Sequence, residues 1–213
     1  MAQEDEKRRA AEAAAELIEP GMAVGLGTGS TVAHFLPALA ARGLDARCVA
    51  TSSETENAAR ELGLSVEPFD ELDRLDLAVD GADQVAPDGW LVKGGGGAHT
   101  REKVVAAAAD RFIVIVSSDK LVERLRPPVP LELLPFGLQS TLRAVGDATV
   151  RGVGPSPDGG LIADYAGEVG DPADLAARLQ AVPGVVAHGL FPPSLVSLVL
   201  VGRGEGVERH PVE

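Results

Sequence analysis

The sequence predicts an α/β protein: a parallel sheet flanked by helices, joined to a smaller α+β lobe of ferredoxin-like order. Three observations carry this. Short apolar segments alternate with helical ones through residue 118, the pattern of a parallel sheet with crossover helices. The run "FIVIV" (112–116) is apolar throughout, as a strand covered on both faces must be. Beyond "RPPVP" (126–130), a proline-rich breaker, the rhythm changes to β-α-β-β-α-β.

The elements follow in order. Residues 5–18 are charged, then alanine-rich, and close at "EPG", which predicts a helix. "MAVGLG" (22–27) is a short buried strand, and "TGST" turns into a helix over about 31–42. "ARCVAT" (46–51) is the second strand, and "SSETENAARELG" a helix ending at Gly63. "LDLAVDGAD" (75–83) is a third strand running into a polar turn, and "GWLVK" (89–93) a fourth. "TREKVVAAAADR" is a helix and "FIVIVSS" (112–118) a strand. In the second lobe the strands are "VPLELLP", "ATVRGV", "LIADYA" and "GVVAHGLF". The helices between them are "GLQSTLRAVG" and "DPADLAARLQAV". "SLVSLVLVG" (194–202) is a last apolar strand, expected to return to the first sheet. The expected units are 1–127 with 195–213, and 128–194.

Bulk composition narrows the partners. The 213 residues carry a net charge of −13, which repels a duplex or an anionic lipid surface; neither nucleic acid nor membrane is an expected partner. No apolar run approaches the roughly 18 residues a membrane helix needs. The opening stretch has no signal-peptide apolar region, and Cys48 is the one cysteine, so no disulfide or thiolate metal cage is expected. Together these predict a cytoplasmic protein. An anionic small ligand would need a locally positive pocket. Arginine supplies 15 of the 19 basic residues, and the four lysines are Lys7, Lys93, Lys103 and Lys120. A lysine in an arginine-using chain is a candidate for its compact ammonium.

"GLGTGST" (25–31) follows a strand and opens a helix, where free amides and the helix dipole favour an anion. It is a poor dinucleotide fingerprint, because Ser30 stands where a third glycine belongs and no acid closes the second strand. What remains is a hydroxyl-rich turn of Thr28, Gly29, Ser30 and Thr31, read either as a ligand site or as an ordinary N-cap. "DGAD" (Asp80, Gly81, Ala82, Asp83) ends a strand, where ligands of open parallel sheets gather. Its carboxylates suit sugar hydroxyls, proton transfer or a metal; equally, they suit a plain turn. No metal is expected, since His34, His99, His188 and His210 show no ligand spacing.

Lys93 sits at another strand end, and Gly94, Gly95 and Gly96 follow it. Glycines let the backbone come close to a ligand and turn several N–H groups toward it. Glu102 falls in the first turn of the next helix, where an acid is commonly just a dipole partner. Beside a glycine nest, a strand-end lysine and an Asp pair, it becomes a candidate general base. His99 could donate to a ligand but is read first as a capping or solvent-facing residue, and Lys120 as a surface lysine or a rim cation.

Taken together, "GLGTGST", "TSS", "DGAD", "KGGGGA" with "REK", "SSDK" and "GVVAHGLF" resemble ribose-5-phosphate isomerase of the A type, in order and spacing along nearly the whole chain. The resemblance implies a Rossmann-like large domain with a ferredoxin-like small one. It implies cofactor-free interconversion of D-ribose 5-phosphate and D-ribulose 5-phosphate in the pentose phosphate pathway, by a homodimer or homotetramer. By position, the family's general base falls on Glu102. Its substrate-binding segments fall on Thr28 to Thr31, Asp80 to Asp83, Lys93 to Gly96, and Lys120, and Lys7 matches a lysine placed near the phosphate in some members. Gln84 stands where the family often has Glu, and His99 where an apolar residue is common.

The implied chemistry suits these residues. One carboxylate, Glu102, moves a proton between C2 and C1 through an enediolate. Lys93 and the glycine amides face the oxyanion. Asp80 serves ring opening and the oxygen-bound protons, Asp83 holds a hydroxyl, and the phosphate rests on 28–31. Two rivals belong to other classes: a non-catalytic sugar-phosphate sensor, and a coenzyme A transferase of related fold.

Overall fold

The structure, a computed structural model, describes residues 2–72 and 74–212. In chain order it contains α1 (Ala2–Ala15), β1 (Ala23–Leu26), α2 (Val32–Ala41), β2 (Arg47–Ala50), α3 (Ser53–Glu61) and β3 (Ser65–Val66). Next come β4 (Leu77–Asp80), β5 (Gln84–Val85), β6 (Leu91–Val92), α4 (His99–Ala108) and β7 (Phe112–Ser117). Then follow β8 (Val129–Leu133), α5 (Leu138–Val145), β9 (Ala148–Val150), β10 (Leu161–Tyr165), α6 (Pro172–Gln180) and β11 (Val185–His188). β12 (Leu190–Phe191), β13 (Leu198–Arg203) and β14 (Gly206–Pro211) come last.

The large sheet has seven strands in the order β14-β13-β7-β4-β1-β2-β3. Six of them are parallel, and β14 pairs antiparallel with β13 at one edge. Counted along the chain, the parallel strands run 3-2-1-4-5-6, the doubly wound order of nucleotide-binding sheets. The strand order therefore reverses between β1 and β4, which pair through Leu26 and Val79. α1 lies on the sheet through Ala10, Ala11, Ala14 and Ala15, all buried. Small side chains let it sit close, and a methyl group on Gly202 of β13 would overlap the Glu6 carbonyl. Ser52 caps α3 by accepting the Thr55 N–H, the role its residue type favours.

The small sheet has four antiparallel strands in the order β11-β8-β10-β9. Along its own segment that order is 4-1-3-2, and α5 and α6 contribute Val145, Leu175 and Leu179 to its core. Asp171 caps α6 by accepting the Ala173 and Asp174 N–H groups, with Pro172 in the first turn.

Sequence and structure differ in three places. "GWLVK" does not join the large sheet; its β6 pairs with β5 and β12 in a separate three-stranded antiparallel sheet. "GVVAHGLF" is two strands, β11 in the small sheet and β12 in this bridging one. The break is at Gly189, where a Cβ would overlap the Lys93 carbonyl. β3 and β14 were not expected: β3 has two residues, and β14 (Gly206–Pro211) is mostly exposed, so neither carries an apolar pattern.

Candidate active site

The site lies beyond the carboxyl ends of β1 and β4, at the point where the strand order reverses. β1 leads into Gly27, and a Cβ there would overlap the Asp80 carboxylate. Glycine thus makes room for Asp80 to fold back against the first loop. Its Oδ1 accepts N–H bonds from Gly81 (2.7 Å) and Thr28 (3.2 Å). Lys93, just past β6, enters from the other side. Its Nζ lies 2.9 Å from Asp80 Oδ2 and 3.1 Å from Glu102 Oε2, and it donates to the Gly81 carbonyl. The carboxylate contacts are close ion pairs, poorly aligned as hydrogen bonds. Asp80, Lys93 and Glu102 are each at most 5% exposed.

Burial and charge act together here. Burial raises Glu102 to about 7; the Asp80 carboxylate adds to this, and Lys93 opposes it. Burial also raises Asp80, against the pull of Lys93 and of its backbone donors. For Lys93, burial works against the charge, but the two carboxylates outweigh it and hold the ammonium above its ordinary value. One cation thus serves two acids, and the acid at the cleft is held near neutrality.

An open cleft sits over this triad, enclosing about 530 Å³ including its mouth. Its walls are 28–31, 81–83, 93–96, Glu102 and Lys120. The fold thus brings together every sequence-predicted site residue except two. Asp80 lies beneath the floor, behind Lys93. Lys7 does not line the cleft; it is buried on α1, with Nζ 2.6 Å from Glu4 Oε1. Gly29 has φ +123° and Gly94 φ +109°, in the region that favours glycine. The Thr28 hydroxyl is taken up by the hydroxyls of Thr51, Ser52 and Thr55, so this residue reaches the cleft mainly through its backbone. Gln84 gives and receives one bond with the Arg126 backbone, both at 2.8 Å; a glutamate could only accept.

His99 corrects the expectation of a cap or a solvent-facing residue. It is fully buried under Gly94, and its ring nitrogens have no hydrogen-bond partner among the described residues. Burial and the nearby Lys103 lower it to about 4. Lys103 donates to the His188 carbonyl at 2.6 Å and lies over the Phe191 ring, as Lys93 does. Burial lowers Lys103 to about 8. Two further residues escaped sequence reasoning. Arg151 bonds the Gly94 and Gly95 carbonyls, and Glu132 accepts the hydroxyls of Thr100 and Ser156. Both come from the small-sheet segment and have no local motif. Among the described residues no cluster of three or more His, Cys, Asp or Glu could hold a metal, and no helix is long and apolar enough to cross a membrane.

Residues 47–206 match the sequence model of a family described as Ribose 5-phosphate isomerase A (phosphoriboisomerase A). A curated relative, Ribose-5-phosphate isomerase A of Caulobacter sp. (strain K31), is 45% identical over 222 residues, covering 97% of this chain and 98% of that protein. The crystal structure of ribose 5 phosphate isomerase A from Neisseria gonorrhoeae superposes with a TM-score of 0.95 at 30% identity, covering 100% of this chain and 99% of that one. A D-ribose-5-phosphate isomerase in complex with phospho-erythronic acid gives a TM-score of 0.93 at 37% identity, covering 99% and 100%.

Proposed function

This chain belongs to the ribose-5-phosphate isomerase A family and is an aldose–ketose isomerase of D-ribose 5-phosphate in the pentose phosphate pathway; we propose that Glu102 is its general base. The observation that carries the assignment is a cleft-lining carboxylate held at about 7 beside the buried ammonium of Lys93. A base is most effective when its pKa lies near the working pH.

In this reading Glu102 removes the C2 proton of the open-chain aldehyde. The C2–H electrons form the C1=C2 bond, and the carbonyl electrons move to O1. Lys93 and the glycine amides stabilise that oxyanion, which is where preorganised donors act most strongly. A proton passes from O2 to O1, the C2 carbonyl forms, and Glu102 returns its proton to C1. The base thus ends as it began, with no net redox change. The phosphate rests on the 28–31 amides at the start of α2, where backbone donors and dipole suit an anion, with Lys120 on the rim. Asp83 holds a hydroxyl. Asp80 does not line the cleft but touches three residues that do, Lys93, Thr28 and Gly81, so its part in ring opening and oxygen-bound proton traffic passes through the Lys93 ammonium. Lys7, on α1 and tied to Glu4, has no direct part in holding the phosphate in this reading. The same reading divides the chain into a Rossmann-like catalytic unit (1–127 with 195–213) and a ferredoxin-like unit (128–194). It works as a homodimer or homotetramer in the cytoplasm.

Mixing the protein with ribose 5-phosphate and following ketose formation is the direct test. Turnover is expected with no added cofactor and undiminished by EDTA. Tight binding without turnover would favour a sensor, and loss in EDTA that added metal restores would overturn the metal-free route. A second measurement checks the base. Since only ionised Glu102 can take a proton, kcat/KM should fall about tenfold per pH unit below about 7 and level off above it. A profile flat from pH 5 to 8 would remove Glu102 from that role.

A further inference from the structure

We propose that Arg151, held by Asp164, is a positioning residue that aims the Gly95–Gly96 amide donors into the cleft by holding the two carbonyls that precede them. Arg151 follows β9 and belongs to the small-sheet segment, away from the catalytic triad. Its Nη1 donates to Gly94 O and Gly95 O, each at 2.9 Å. Its Nε and Nη2 grip the two oxygens of Asp164 on β10, at 2.7 and 2.6 Å, a bidentate fork that fixes the guanidinium plane.

A trans peptide is planar, so an N–H points opposite to the carbonyl that precedes it. Holding the Gly94 carbonyl toward Arg151 turns the Gly95 N–H the other way, and that group donates to Asp83 Oδ2 at 2.8 Å, on the cleft wall. Holding the Gly95 carbonyl turns the Gly96 N–H to the same side. Gly96 lines the cleft, and its N–H has no partner among the described residues. Two carbonyls drawn to one nitrogen therefore leave two consecutive amides side by side, the arrangement of an anion-holding nest. Asp83 occupies the first of these, and the second is open to a developing oxyanion. The Gly97 N–H also donates to the Gly94 carbonyl at 3.1 Å and closes the turn at that end, whereas the Gly95 carbonyl has Arg151 as its one donor among the described residues, so the orientation of the Gly95–Gly96 peptide rests on the guanidinium. Lysine could not replace that group, since one ammonium cannot hold the Asp164 fork and both carbonyls in a fixed plane.

This inference rests on the isomerase reading above, and the experiment separates the two. Wild-type protein is first assayed with ribose 5-phosphate; absence of turnover would remove both. With turnover established, Arg151→Met and Arg151→Lys are compared with wild type. Both variants should lose kcat about 10²–10³-fold, the effect typical of one oxyanion donor, with KM changed less than about threefold. Binding of phospho-erythronic acid, whose carboxylate resembles the charged intermediate, should weaken in step with kcat, because analogues of the reacting state report that stabilisation. Guanidinium ion added to Arg151→Ala should restore part of kcat, which recovery of fold alone would not do. The inference is overturned if a folded Arg151→Met or Arg151→Lys variant keeps kcat within threefold of wild type. It is overturned equally if the loss lies in KM alone. Should Arg151→Met fail to fold, Arg151→Lys and Asp164→Asn decide the question by the same criteria.

Discussion

Replacing Glu102 by glutamine is expected to slow isomerisation by about 10²–10⁴-fold while leaving the protein folded. A positioned general base contributes about 10²–10⁴-fold, and Gln has nearly the shape of Glu, so the cleft and Lys93 should stay in place. The effect on stability should run the other way. Glu102 is raised to about 7 against an ordinary value of 4.5, first by burial and then by Asp80. The folded state thus holds this proton more tightly than the unfolded one, and stability falls as pH rises from about 4.5 to about 7. Above that window wild type carries a disfavoured charge that the variant lacks. Glu102→Gln should therefore melt higher than wild type at pH 8 and match it at pH 4. Ketose formation and thermal melts at the two pH values check both halves. Activity within tenfold of wild type would end the assignment of Glu102 as the base.

Replacing Lys93 by methionine should damage folding and catalysis together. Lys93 is the cation shared by Asp80 and Glu102, at 2.9 and 3.1 Å, and all three are buried. Removing one member of a buried ionic group leaves uncompensated charge and costs roughly 3–5 kcal/mol. That cost should be largest near pH 8 and shrink in acid, as the two carboxylates take up protons. kcat should fall about 10³-fold as a donor to the oxyanion is lost. The double variant Lys93→Met/Asp80→Asn removes one of the stranded charges, so it should regain part of the stability and none of the turnover. Denaturant unfolding at pH 5 and 8 measures the first effect, and ketose formation the second. A Lys93→Met protein as stable as wild type at pH 8 would show that the acids do not depend on the ammonium.

The parallel sheet was legible in the sequence because its central strands are continuously apolar, as in Phe112–Ser117. The cleft's lining was legible because it is built from strand ends and glycine turns, which are local signals. What could not be read depends on partners far apart in the chain. Arg151 and Asp164 are 13 residues apart and meet only because β9 and β10 pair. His99 looks like a helix-start residue in the sequence, but the fold buries it fully against Gly94. Glu102, read alone, is a helix-dipole acid; the burial that raises it to about 7 comes from the assembled fold. The bridging sheet went unseen because strands of two residues have no periodicity to detect.

That bridging sheet also decides how the molecule can move. β6 ends beside Lys93, whose N–H donates to the Gly189 carbonyl at 2.8 Å, and the Gly189 N–H donates to Pro130 of β8 at 2.7 Å. A backbone ladder therefore runs from Lys93 straight into the small sheet. The peptide joining β11 to β12 belongs to both sides of it, so opening a hinge there would break both backbone bonds. Lys93 is thereby tied to the small sheet by its main chain and to Asp80 and Glu102 by its side chain.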